Sequence, residues 1–189
     1  MSKQLPAQPA ERAVYIGRFS PLHLGHCRVI ETMLAEFGED RSLLLLGSCN
    51  EPLSQTLCFD FLTRLSWINT LYPDLLVSGI PDYGNDKRWL KQLETSLDVW
   101  FSEISKPQKS SLSRVVFYSG STNDIRFFTQ AKLQTRICDR TDGSGPIVSA
   151  TQIRQRLAQQ QSISDLVSPS IESSIIHNFE HFKASIALS

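Results

Sequence analysis

His23 and His26 stand three residues apart in the stretch AVYIGRFSPLHLGHCR (13–28), with Gly25 between them. Residues at that spacing share one face of a helix, so the two imidazoles point the same way. Gly25 has no Cβ, which lets a ligand come down onto the backbone. Two imidazoles beside free N–H groups at a helix N-terminus form an anion site, and the anion that fits best is a polyphosphate. Two plainer uses stay open at this point: caps on the helix, or half of a metal site. A zinc site needs a third ligand, and no Cys, His or Glu stands nearby at a suitable spacing.

A second candidate is Val148-Ser149-Ala150-Thr151-Gln152-Ile153-Arg154. Ser149 with Gln152 three residues on makes a capping box, so a helix starts here and again turns N–H groups toward an anion. Arg154, about one turn in, can fork onto phosphate oxygens. Taken alone, this is also how an ordinary capped helix with a surface arginine looks.

The elements that must position these residues follow from the apolar pattern. Residues 13–16 fit a buried strand closed by Gly17. The helix over 24–37 buries Cys27, Ile30, Met33, Leu34 and Phe37, and Gly38 stops it. Residues 42–46 form a second strand, and Asp60 caps a helix carrying Leu62, Leu65, Ile68 and Leu71. Strand 75–80 leads through the loop PDYGNDKR into a helix over 88–104, with Leu90, Leu93, Leu97, Trp100, Phe101 and Ile104 on its apolar side. A linker (106–113), a strand (114–118), a short helix, a fifth strand (133–138) and the loop 139–146 complete the approach to Ser149. Ser168 and Pro169 open a last helix that buries Ile171, Ile175, Phe179, Phe182 and Ile186.

Alternating strands and helices predict an α/β, doubly wound, Rossmann-like fold: a parallel five-stranded sheet with helices on both faces. Residues 1–12 read as a flexible tail and 13–189 as one domain, with 160–189 a C-terminal helical extension. Ligands of such sheets bind beyond the carboxyl ends of the strands, where Gly17, Gly47, Pro81 and Gly120 lie.

Composition excludes several classes. The 189 residues balance 19 Lys and Arg against 19 Asp and Glu, so the net charge is zero and neither nucleic acid nor a membrane surface is predicted as partner. The four cysteines are scattered without a CxxC pair and read as small apolar fillers in a reducing compartment. No apolar run approaches membrane-spanning length and the N-terminus does not read as a signal peptide, so a cytoplasmic location is expected. His177 and His181 lie four apart, a spacing that suits a metal pair, but off the apolar stripe of the last helix, which favours a solvated face.

Together, GRFSPLHLGH after the first strand and VSATQIR before the last core helix resemble the nucleotidyltransferase superfamily that carries HxGH and ISxTxxR. The form GRF-x-P-x-H-x-GH is most similar to nicotinamide mononucleotide adenylyltransferases of the archaeal type and their bacterial relatives, over roughly 13–157. GSCNEP resembles that family's GSANEP-like loop, IPDYGNDKRW its PD-x-x-x-N-x-x-W stretch, and FYSG its strand end near adenine and ribose. One departure is Arg64, which keeps the family's Glu-Arg arginine without the acidic partner. Another is that either Asn85 or Asp86 aligns with the asparagine between Asp82 and Trp89.

The resemblance implies transfer of AMP from ATP to nicotinamide mononucleotide, giving NAD and pyrophosphate. A phosphate monoester with second pKa near 6 is already largely dianionic at neutral pH, so no general base is needed and positioning with charge neutralisation suffices. It implies His23, His26, Arg154 and Arg18 as the catalytic group. ATP falls to Gly17, Arg18, Phe19, His23, Gly25, His26, Ser119, Gly120, Ser149, Thr151 and Arg154. Asp82, Asn85 and Trp89 take nicotinamide mononucleotide, the tryptophan facing the cationic ring and the acid disfavouring a nicotinate carboxylate. Mg²⁺ enters on the ATP phosphates, with no protein cage. The partners are small molecules, and a homo-oligomer stays open. Two other readings remain: a relative with another acceptor (phosphopantetheine, or an alcohol phosphate), or a nucleotide sensor without catalysis.

Overall fold

Three apolar runs in the middle of the sheet decide the architecture, because every residue of Ser42–Gly47 and of Val115–Ser119 is buried, as are the first four of Arg12–Gly17. A strand buried on both faces needs helices above and below it, which is the environment of a parallel sheet. The computed structural model describes residues 10–102, 110–138 and 148–187. The elements run β1 (Arg12–Gly17), α1 (Leu24–Phe37), β2 (Ser42–Gly47), α2 (Phe61–Leu71), β3 (Leu76–Ile80), α3 (Asp86–Ser102), β4 (Val115–Ser119), α4 (Thr122–Gln130), β5 (Gln134–Ile137), α5 (Ala150–Ala158) and α6 (Pro169–Ala187). All pairings are parallel, in the order β3-β2-β1-β4-β5. The doubly wound α/β fold expected from the pattern is the fold observed.

The two faces divide cleanly. Ala13, Tyr15, Leu44, Leu46, Val116 and Tyr118 point into one core with residues of α1, α2, α5 and α6. Val14, Leu43, Leu45, Val115 and Phe117 point into the other, filled by Leu93, Leu97 and Phe101 of α3 and Ile125 and Phe128 of α4. Adjacent strand residues alternate between cores, as the two-residue period of a strand requires.

The C-terminal extension is built into the first core. Ile163, Leu166, Val167, Ile171, Ile175, Phe179 and Phe182 all join it. The Trp67 indole N–H donates to Ser174 Oγ at 2.9 Å, tying α2 to α6.

Several expectations need correction. Leu62 is 72% exposed, because α2 turns Arg64, Trp67 and Ile68 inward and leaves Leu65 and Leu71 at the margin. Ile186 is 51% exposed, beyond the reach of the core. Helix α3 begins at Asp86, two residues earlier than the apolar pattern indicated, because Asn85 Oδ1 caps the Arg88 N–H at 3.0 Å. Arg12, assigned to the tail, is buried in β1. Ser111–Arg114 is a short 3₁₀ turn rather than a plain linker. The rest of the expected tail (1–9), the linker up to residue 109 with the end of α3, and the loop 139–146 lie outside the described residues. His177 and His181 are both exposed, on the solvated face.

All four cysteines are free thiols, and burial pushes each of their pKa values up, that of Cys58 to about 11. Above the ordinary thiol value of 9.0 the unfolded chain loses this proton while the folded chain keeps it. The stability so contributed is complete below about pH 9 and declines as pH rises toward 11. Denaturant midpoints measured at about pH 8 and about pH 10.5 should fall in that order, with a shallower fall in Cys58→Ala.

Candidate functional site

Parallel strands place their carboxyl ends on one edge, so the loops after Gly17, Gly47, Ile80 and Ser119 gather there. The direction of winding reverses between β1 and β4, and a crevice opens at that point. Two connected lobes fill it. One, of about 520 Å³, is walled by Tyr83, Trp89, Phe127 and Phe128. The other, of about 410 Å³, is lined by Gly17, Arg18, Gly47 and Ser48. Ile16, Asp82, Trp89 and Asp124 belong to both, so the lobes form one groove.

The histidines sit beside the second lobe's β1 loop. His23 is the N-cap of α1, and its Nδ1 accepts the His26 backbone N–H at 3.3 Å. A neutral His23 with Nδ1 as acceptor carries its proton on Nε2. The two rings stack, centroids 3.6 Å apart and planes 20° from parallel. Phe19 packs edge-on against His26 at 4.9 Å and against Tyr15 at 5.2 Å. His23 is 1% exposed and His26 half-buried, so the second ring is the more open.

Gly25 is small for a reason other than the one its sequence position suggested. A Cβ there would stand 3.1 Å from both Cε1 and Nδ1 of His23 and 3.4 Å from the Val148 carbonyl oxygen. The space is taken by the imidazole and by the second motif rather than left for a ligand. The helix start is also less open than expected, since Leu24 N–H donates to Leu166 O at 2.9 Å and His26 N–H is capped. Two of the N–H groups at this helix start are therefore already satisfied within the protein.

Three arginines surround this region. The Arg64 guanidinium, 1% exposed, donates to the carbonyls of Arg18 (2.8 Å), Gly47 (2.9 Å), Asp60 (3.2 Å) and Ser48 (3.4 Å). Arg154 reaches from α5 to the Ser20 carbonyl at 2.6 Å and to Thr151 Oγ1 at 3.1 Å, joining the two motifs. Burial pushes the pKa of both Arg64 and Arg154 down, and the nearby Arg18 adds to the effect in each. Arg18 itself is exposed and lines the groove.

A profile of the cytidylyltransferase-like family matches residues 14–156. The chain belongs to that family. It is 27% identical over 165 residues to the nicotinamide-nucleotide adenylyltransferase of Pyrococcus horikoshii, covering 85% of this chain and 80% of the relative. A bifunctional NMN adenylyltransferase/ADP ribose pyrophosphatase from Francisella tularensis superposes with a TM-score of 0.71 at 16% identity, over 95% of this chain. The match spans only 54% of that two-function protein, about half its length. A Francisella tularensis structure described in the same words, complexed with AMP and a manganese ion, gives 0.68 at 18% identity. The likeness to nicotinamide mononucleotide adenylyltransferases read from the motifs is thus borne out.

Within this cytidylyltransferase-like frame, the groove is lined by Gly17, Arg18, Asp82, Asn85 and Trp89 of the residues singled out by sequence, while the two histidines and Arg154 stand outside its lining. Asp82 and Trp89 line both lobes, and Asn85 lines the larger one. Asp82 is held firmly: Ser48 Oγ donates to its Oδ2 at 2.6 Å, and its backbone exchanges two hydrogen bonds with the Asn50 side chain at 2.7 and 3.0 Å. Asn85 spends its side-chain oxygen on the cap of α3. Ser149 caps α5 through Gln152 N–H at 3.2 Å, and Thr151 is exposed. Ser119 lies at the same sheet edge, its hydroxyl bonded within the turn to Ser121, and Gly120 follows it. Gly17 accommodates Phe19, whose ring would stand 2.9 Å from a Cβ there.

Sequence reasoning missed Asp124, Phe127 and Phe128 of α4, which wall the larger lobe, and the anchoring by Ser48 and Asn50. Asn50 belongs to the quoted GSCNEP loop, so its signal was present; α4 offered no local one. Among the described residues no three His, Cys, Asp or Glu side chains converge on a metal-sized point. The groove's own carboxylates therefore do not make a cage for a divalent ion. No helix among the described residues is long and apolar enough to cross a membrane.

Replacing Arg64 by lysine removes the fork and leaves buried carbonyls without their donor, each costing about 1–3 kcal/mol. Arg64→Lys should therefore lose at least that much unfolding free energy, read as a lower urea midpoint with the m-value unchanged.

Proposed function

We propose that this protein transfers AMP from ATP to nicotinamide mononucleotide, giving NAD and pyrophosphate. The observation that carries the reading is the joined groove: an arginine-flanked lobe beside the stacked histidines opens directly into an aromatic lobe. The first suits a polyphosphate, the second a flat cationic ring. The named relatives and the two sequence motifs point to the same pair of substrates.

The acceptor's 5′-phosphate oxygen attacks the α-phosphorus of ATP, and the bond from that phosphorus to the pyrophosphate oxygen breaks. The nucleophile is already dianionic, so no protein base is needed. His26, Arg18 and Arg154 hold the phosphates, and Arg154 steadies the departing pyrophosphate. His23 fixes His26 through its cap and stacking. Such fixed donors act where charge develops and need no reorganisation. ATP enters as its complex with a divalent ion, Mg²⁺ by preference, so that ion comes as part of the substrate. Trp89, Phe127 and Phe128 enclose the pyridinium, and Asp82 and Asn85 border it.

The direct test is incubation of the full-length protein with MgATP and a panel of acceptors, with NAD and pyrophosphate measured separately. NAD formation with equimolar pyrophosphate supports the proposal. Pyrophosphate release with phosphopantetheine or an alcohol phosphate alone, or with no acceptor in the panel, overturns it.

His26→Ala should keep the fold by circular dichroism and lower turnover by roughly a hundredfold or more, the cost of removing one preorganised donor. Arg154→Ala should behave alike, and Arg154→Lys should restore little, because a point charge cannot replace the fork that spans Ser20 and the phosphates. Gly25→Ala should push the His23 ring aside and reduce turnover more than it reduces the melting temperature.

A further inference from the structure

A second cavity lies apart from the groove and shares no lining residue with it. It measures about 310 Å³, between the segment that leads into α2 and the C-terminal half of α6. Its apolar surface comes from Phe59 and Phe182, both buried, and from the more open Leu53. The polar groups around these rings have hydrogen-bonding capacity to spare. Asn178 donates its amide to the Ser174 carbonyl at 2.8 Å and to Ser174 Oγ at 3.3 Å, which leaves Oδ1 as its open group. Asp60 spends Oδ1 on the Thr63 N–H at 2.7 Å, so Oδ2 is open too. Among the described residues, the Thr63 hydroxyl carries no hydrogen bond. The His181 ring meets His177 edge-on at 4.5 Å, with neither nitrogen engaged.

No Lys or Arg lines this cavity, so nothing fixed there neutralises a phosphate or a carboxylate. Two open acceptors, two groups able to donate and two aromatic rings suit a flat, uncharged ring bearing an amide or amino group. The volume fits one ring system rather than a nucleotide. Segment 58–60 belongs to this cavity and to the buried arginines at once. The Cys58 thiol lines the cavity, lies beside the Ser20 side chain and feels the charge of Arg154. The Ser20 carbonyl is the group that Arg154 holds at 2.6 Å. The Asp60 carbonyl is one of the four that Arg64 holds, at 3.2 Å.

We propose that this cavity is a second small-molecule site, for an uncharged flat ring carrying an amide or amino group, whose occupation tightens the hold of Arg154 on a polyphosphate. The phosphate role of Arg154 rests on the adenylyltransferase reading above, whereas the site itself does not. A ligand favours only the conformation that it fits. The cavity has this shape while Arg154 is fixed to Ser20, so a ring that fills it favours the fixed arginine. Coupling of this kind is reciprocal, and a bound polyphosphate tightens the ring by the same factor.

The test uses benzamide as the probe and benzoate as its charged control, followed by amide NMR of the isotope-labelled full-length protein. Saturable shifts should centre on Thr63, Asn178, His181 and Ser185. They should persist in Trp89→Ala, which alters the groove, and vanish in Asn178→Leu. Ser185→Trp, a change at an exposed position of the lining, should fill the cavity and abolish them as well. Pyrophosphate titrated into benzamide-saturated protein should bind about fivefold tighter than into free protein, at the low end of usual coupling between sites. Arg154→Ala should erase that difference while benzamide still binds. Shifts confined to the groove overturn the proposal, and so does benzoate that binds as tightly as benzamide. Benzamide binding that leaves the pyrophosphate affinity unchanged overturns it too. Should Asn178→Leu fail to fold, the wild-type shift map and Ser185→Trp still decide. Protein that shows the site and its coupling but forms no NAD supports this proposal and counts against the adenylyltransferase reading instead.

Discussion

A single buried guanidinium holds the site together. Arg64 lies under the loops that leave β1 and β2 and donates to the carbonyls of Arg18, Gly47 and Ser48. Those loops hold unusual backbone: Phe19 and Ser48 adopt left-handed φ values of 49° and 54°. Such conformations cost of order 1–3 kcal/mol outside glycine and persist only when the surroundings over-determine them. Arg64 is a large part of that over-determination. Phe19, once fixed, supports His26, and Ser48, once fixed, orients Asp82. One cation thus steadies loops that border both lobes of the groove, and it adds positive potential behind the lobe that Arg18 lines.

That dependence explains what was legible in the sequence and what was not. The strands were readable because an uninterrupted apolar run such as 43–46 has few other uses, and the two histidines because a strand followed by a glycine and a helix start restricts their setting. Helix α2 was misread in detail for one reason. Its core-facing row is Arg64, Trp67 and Ile68, and hydropathy assigns an arginine to solvent, which shifted the expected stripe toward Leu62. The very residue that organises the loops was the one that disguised its helix. Phe127, Phe128 and Asp124 escaped because they meet Trp89 only after the sheet has brought α3 and α4 side by side. Phe127 packs 5.7 Å from the Trp89 ring, across 38 positions of chain that carry no shared pattern.

The two motifs depend on each other more than their separation suggests. Gly25 admits the Val148 carbonyl, and Arg154 holds the Ser20 carbonyl, so each motif occupies space or hydrogen-bonding capacity in the other. A change confined to either one alters the geometry of both. In the sequence their joint presence was informative through its resemblance to a known family, and these contacts are what the structure adds.

The C-terminal extension bears on the same chemistry although it carries no motif. Leu166 accepts the first N–H of α1 at 2.9 Å. With that group satisfied and the His26 N–H capped by His23, the helix end contributes a general dipole rather than a set of free donors. Under the proposed reading, phosphate binding then falls to side chains, the imidazole pair and the arginines. Arg154 and His23 are already held by hydrogen bonds to Ser20, Thr151 and the His26 N–H, so these donors are preorganised rather than mobile. Only interactions stronger in the transition state than in the ground state accelerate a reaction. In that mechanism the extension, by satisfying a helix-end donor, leaves the phosphates to side chains placed where charge develops.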